Sequence, residues 1–182
     1  MQTDPYIKQT QCWLENTVIG LNFCPFASRE FKQKTIHYAV SETVKLEDSL
    51  TQLAIELQRL DQDPGIETTL LIFSDGYSAF DDFLELIDYA DALVDQLQYR
   101  SVYQLAHFHP DYCFADAAAD DPSNFTNRSP WPTLHLLRES SLQRAIEHHP
   151  DTEQIPETNI KLARKLGFAK MRSLLDRCKQ SL

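Results

Sequence analysis

At 182 residues, with 42% hydrophobic and 24% charged side chains, the chain is long enough to close one core of its own and too apolar for wholesale disorder. Its net charge of -10 repels phosphate backbones, which excludes a nucleic-acid binder built on a basic surface. No apolar run approaches the ~18 residues of a membrane span, and the opening Met1-Gln-Thr-Asp-Pro5 has neither region of a secretion signal.

Asp4 caps and Pro5 opens a helix expected from Pro5 to about Leu21, with Ile7, Leu14, Val18 and Leu21 on one face. Pro25 disfavours helix at Cys24. Residues 36–40 read as a short strand. Residues 46–60 read as a helix with a stripe of Leu46, Leu50, Leu53, Ala54 and Leu57. After the turn Asp63-Pro-Gly65, residues 68–73 are continuously apolar and β-branched, the mark of a strand buried on both faces. Residues 78–97 form the clearest helix, with Ser78 and Asp81 as a capping box. Residues 102–108 make a third strand.

Strands joined by helices of this length favour parallel pairing. The expected fold is therefore a single α/β domain over residues 1–182: a β-α-β-α-β core, a mostly parallel sheet, and helices on its faces. A fourth strand at residues 133–137 follows without a helix and is expected antiparallel at an edge. A ferredoxin-like α+β or other mixed sheet is the alternative. Ser140 or Ser141 starts a short helix, Pro156 opens another that Gly167 ends, and residues 168–179 form the last. The densest basic stretch, Lys161 to Lys179, reads as a solvated helix face.

Between the third and fourth strands, residues 109–132 carry Pro110, Pro122, Pro130 and Pro132 among many Asp, Asn and Ser residues, with no regular element. Irregular segments beyond ~12–15 residues are uncommon in compact domains and often functional. This one leaves a strand at its carboxyl end, where ligands bind in open α/β sheets. An Ω-loop packed for shape is the plainer reading. His107 and His109 point to one face of the strand and suit acid–base work or a metal, with Asp111 and Cys113 following and His135 on the next strand expected to face them. Ordinary hydrogen-bonded histidines remain the alternative, and no metal site is assigned.

Arg128 sits between Asn127 and Ser129 on a proline-stiffened stretch, a fork able to take a small anion in an otherwise acidic chain. Its alternative is a staple paired with Asp120, Asp121 or Glu139. Cys24 is the thiol candidate, although the end of a helix raises a thiol pKa unless a histidine or arginine comes close. Cys12 and Cys178 fall on helices as core or surface residues. The four cysteines form no CxxC, and reduced thiols in a cytoplasmic protein are expected. Only Gly20, Gly65, Gly76 and Gly167 exist, so neither a P-loop nor GxGxxG is present.

Asn22-Phe-Cys-Pro-Phe-Ala27, His107-Phe-His-Pro-Asp-Tyr112, Asn127-Arg-Ser-Pro-Trp-Pro132 and His135-Leu-Leu-Arg-Glu139 together resemble a bacterial domain-of-unknown-function family, number fourteen-fifteen. The resemblance spans nearly the whole chain and implies a bacterial protein, with no assigned catalytic residues to carry over. The residues themselves point to an enzyme acting on a small anionic metabolite in a pocket under residues 109–132. Arg128, Asn127, Ser129 and His135 would hold the ligand, with His107, His109 and Cys24 carrying the chemistry. A non-catalytic metabolite- or metal-binding module is the alternative. Arg128→Ala is expected to abolish anion binding with little change in thermal stability. No nucleic-acid or membrane partner is expected, and neither cofactor nor oligomeric state is legible.

Overall fold

The computed structural model describes residues 4–147 and 152–180. Four strands form one sheet: β1 (Ile36–Ser41), β2 (Thr68–Phe73), β3 (Tyr103–Phe108) and β4 (Thr133–Arg138), in the order β1-β2-β4-β3. β1 and β2 pair in parallel, while β4 pairs antiparallel with both β2 and β3. The three strands expected to share a sheet do so, and all three run in one direction. The sheet is nevertheless mixed rather than mostly parallel, because β4 is inserted between β2 and β3.

The fourth strand is antiparallel as expected but central, not at an edge. The physical reason lies in its side chains: Leu134 and Leu136 are both fully buried and need cover from neighbours. The edge position falls to β3, which is buried fully only at Tyr103.

Helices α3 (Leu46–Gln62) and α4 (Phe80–Gln96) cover one face. Their Leu53, Leu57, Leu60, Phe83, Leu86 and Ala90 close over Leu71, Phe73, Leu134 and Leu136. The other face carries α1 (Pro5–Trp13), its π-helical continuation Leu14–Ile19, α2 (Ala27–Gln33), α6 (Ile155–Leu166) and α7 (Phe168–Lys179). There Trp13, Val18, Phe23, Ala163, Met171 and Leu175 bury against Phe108 and Ile36. Helix α5 (Glu139–Glu147) follows β4 directly. Helices on both faces distinguish this layering from a ferredoxin-like sheet, whose helices lie on one side.

Local chemistry accounts for the helix ends. Asp4 accepts from the Tyr6 N–H at 2.8 Å, with Pro5 in the first turn, as the sequence requires. The capping box expected at Ser78 does not form: α4 starts one residue later than that motif needs, and Ala79 is its N-cap. Gly167, at φ +81°, ends α6 and starts α7.

Candidate functional site

Residues 109–132 lie against the ends of β3 and β4, and their polar groups are satisfied largely within the segment. Asp121 caps a 3-10 turn, Pro122–Thr126, by accepting from the Ser123 N–H at 2.9 Å. Buried Asn124 accepts from the Phe114 N–H at 3.0 Å and donates to the Ala118 carbonyl at 2.9 Å. Cys113 receives the same amide at 3.7 Å. Ser129 donates to the Trp131 carbonyl, and Asn127 accepts from Thr126 Oγ1 at 3.0 Å. Trp131 anchors the segment to α1 through a 2.8 Å bond to Gln9 Oε1.

Arg128 is 6% exposed. Its Nε donates to the Tyr112 carbonyl and its Nη2 to the Ala119 carbonyl, each at 2.9 Å, while the guanidinium lies 4.7 Å over the Phe125 ring. The carboxylate pairing weighed from sequence is absent among the described residues. Asp121 is instead forked by Arg164 at 3.1 and 2.9 Å, which drives its pKa far down. Arg128 therefore staples the segment through backbone carbonyls, and an anion would have to compete with those bonds.

His109 is fully buried with both ring nitrogens engaged. Its Nδ1 accepts from the Asp111 N–H at 3.0 Å, so Nε2 carries the proton and donates to the Tyr77 carbonyl at 2.8 Å. Burial lowers its pKa, the Tyr77 bond opposes this, and the Arg128 charge adds to the lowering. His107 faces the same layer: both rings meet Phe83, at 6.3 and 5.3 Å. It is half-buried, stacks on Tyr112 at 5.7 Å, and forms no hydrogen bond through its ring to any described residue. Burial lowers its pKa, against the opposing pull of Asp91 on α4.

His135 does not face them. It pairs in register with Ala106, whereas His107 pairs with Leu134, so the pleat sends His135 to the opposite face. There it meets Phe108 at 6.0 Å and Thr68 Oγ1 at 2.8 Å. The Thr68 hydroxyl donates to the Leu136 carbonyl at 2.6 Å, which makes His135 Nε2 the donor to Thr68. Burial of the ring pushes its pKa down to about 4. Cys24 also packs on that second face, with the Trp13 and Phe125 cluster. Burial raises its thiol pKa, against lowering bonds from the Phe26 and Ala27 backbone. The sheet thus gathers His107, His109 and, electrostatically, Arg128, but sets Cys24 and His135 in the other layer.

A family model described as a protein of unknown function (DUF1415) matches residues 5–173. The chain belongs to that family. No curated protein and no solved structure matches it. In this DUF1415 chain, no three His, Cys, Asp or Glu side chains among the described residues gather as metal ligands, and no helix among them is long and apolar enough to cross a membrane.

A second group at the carboxyl ends of the strands escapes the sequence reading. Ser41 ends β1 and bonds Thr43 Oγ1 at 2.8 Å; Thr43 continues to buried Ser49 at 3.0 Å; and Tyr77 donates its hydroxyl to Ser49 at 2.8 Å. Tyr77 stands at φ +51°, directly after Gly76 at φ +73°. Beside it opens a cavity of about 220 Å³ lined by Val44, Leu46, Tyr77, Asp82, Glu85 and Leu86. The available signal was Asp75-Gly76 at the end of the buried strand β2, a turn at the sheet edge where α/β ligands bind.

Proposed function

We propose that this chain is a non-catalytic binding module. Its ligand is a compact molecule with an apolar body and a cationic group, seated in the cavity where β1 and β2 end. The observation that carries this reading is Tyr77. Aromatic residues rarely occupy the left-handed region, and such backbone persists where surrounding contacts over-determine it, often at ligand sites. Here His109 holds the Tyr77 carbonyl and Ser49 holds its hydroxyl, leaving the ring on the cavity wall. Asp82 and Glu85 supply negative charge to the same wall, and its lining contains no cation.

The test is a thermal-shift screen of primary amines and guanidines against carboxylates and phosphates, repeated on Asp82→Asn/Glu85→Gln. Amines or guanidines should raise Tm in the native chain, and the double variant should lose that response. Stabilisation by anions alone, abolished by Arg128→Ala with the apo Tm unchanged, would overturn the reading and restore the anion pocket under residues 109–132.

One observation favours a second, enzymatic reading. His107 is half-buried, lacks a hydrogen-bond partner among the described residues, and lies within the field of Asp91. With its pKa lowered by burial, an imidazole so placed is neutral near neutral pH and can accept a proton as a general base. Incubating the protein with a metabolite extract, alongside His107→Gln, tests it: a compound consumed only by the native chain would identify an enzyme.

A further inference from the structure

The seam between the first and last helices holds a feature that the proposed function does not use. Cys12 on α1 and Cys178 on α7 are 166 positions apart in sequence, yet their Sγ atoms lie 2.7 Å from one another. Non-bonded sulfurs ordinarily sit farther apart, and a disulfide bond measures about 2.05 Å, so only a small approach separates this pair from a covalent link. The seam is held in register at a second point: Gln9 Nε2, one turn before Cys12, donates to the Lys179 carbonyl at 2.7 Å. The other face of Gln9 receives Trp131, which ties the same seam to residues 109–132.

We propose that Cys12 and Cys178 form a site of oxidative modification, closing to an intramolecular disulfide when the protein meets a small-molecule disulfide. The two thiols differ in access. Cys12 is half-buried, with the Asn16 amide donating toward its sulfur at 3.4 Å, whereas Cys178 is 1% exposed. Cys12 is therefore the attacking group. Its thiolate displaces one half of the oxidant RSSR, giving a Cys12–S–S–R mixed disulfide and RS⁻. Cys178 then loses its proton, to RS⁻ or water, and attacks the Cys12 sulfur. The Cys12–Cys178 bond forms and the second RS⁻ leaves. Two thiols are oxidised and one RSSR is reduced to two RSH. Burial and the neighbouring thiol push the Cys178 pKa up to about 12, which slows this second step without altering its geometry.

The closed bond would join the two ends of the fold and restrict the unfolded chain over almost its whole length. Closure of so long a loop raises Tm by roughly 10 °C or more. Neither Cys24 nor Cys113 hydrogen-bonds to another sulfur among the described residues, and the Cys113 thiol turns to the Phe114 and Ala117 carbonyls. The experiment equilibrates the reduced full chain with excess oxidised glutathione and counts thiols after denaturation. The expected result is a fall from four thiols to two, a Cys12–Cys178 peptide pair on mapping, and a higher Tm that dithiothreitol reverses. Cys24→Ala/Cys113→Ala should go from two thiols to none with the same rise. If that variant does not fold, the peptide map of the unaltered chain still decides. Four persisting thiols, a stable glutathione adduct at Cys12 beside a reduced Cys178, or a bridge to Cys24 or Cys113 would each overturn the proposal.

Discussion

Replacing Arg128 by alanine tests whether residues 109–132 are a built-in cap or a ligand loop. Two charge-assisted bonds disappear, to the Tyr112 and Ala119 carbonyls, together with the contact over Phe125. Removing a hydrogen bond to a charged group costs ~1.5–3 kcal/mol where the partner stays buried. The Ala119 carbonyl keeps a long bond from the Asn124 amide, so the Tyr112 carbonyl is the one left bare. The net cost is then about 3 kcal/mol, and at ~2–4 °C per kcal/mol for a domain of this size Tm falls by ~6–12 °C. This reverses the expectation, drawn from sequence, of little change in thermal stability. Arg128→Lys keeps the charge but not the planar fork, and should recover no more than about half. Urea denaturation of the three proteins, read by tryptophan fluorescence, gives the values. An Arg128→Ala chain within about 0.5 kcal/mol of the native one would refute the staple, because surface changes without structural consequence fall in that range.

Further perturbations address other parts of the molecule. His135 is held neutral when folded, so the unfolded chain binds a proton first as pH falls below about 6.5, and stability drops until the folded ring titrates near 4. Urea unfolding at pH 7 and pH 5 should show a loss of about 2 kcal/mol from this residue, absent in His135→Gln; an NMR titration placing His135 near 6.5 would sink the argument. Gly76→Ala puts a Cβ at a positive φ and 3.1 Å from the Val44 Cα, costing about 1–3 kcal/mol, so a Tm unchanged from the native value would show the turn to be adaptable. Asp61 accepts the hydroxyls of both Tyr99 and Tyr103 and raises the Tyr99 pKa. In Asp61→Asn, absorbance titration at high pH should find Tyr99 ionising earlier, and an unmoved curve would deny the bond.

The strands and the main crossover helices were legible because their signals are local. Continuous apolar side chains marked β2 from Thr68 to Phe73, and it is buried along its whole length. What local patterns do not specify is the neighbour. Thr133 to Leu137 announces a strand, but the choice between an edge and the centre depends on which faces other segments cover. A strand that returns without a helix can turn back beside its predecessor, and the fully buried Leu134 and Leu136 gain most by sitting between β2 and β3. The same placement decided the fate of the histidines. Spacing of two put His107 and His109 on one face, while the register with β4, which no periodicity reveals, sent His135 to the other.

The candidate site divides along the same line between local and non-local information. Arg128 among Asn127 and Ser129 has the composition of an anion site, but composition does not say whether donors turn outward or inward. An irregular segment buried against a sheet must satisfy its own carbonyls, since neither ladder nor water reaches all of them. A planar fork with several donors suits that task, and the Tyr112 and Ala119 carbonyls lie within its reach. The cavity beside Tyr77 went unread for the opposite reason: its parts come from 41–49 and 77–86, and each is ordinary alone. Serine and threonine at a strand end, a tyrosine after a glycine, and two carboxylates on a helix face acquire meaning only when β1 and β2 pair in parallel. That pairing brings their carboxyl ends together, with Ser74 N–H bonded to the Ser41 carbonyl at 3.0 Å. A site at the ends of adjacent parallel strands is a consequence of pairing, and pairing is the level of structure at which side-chain patterns stop being sufficient.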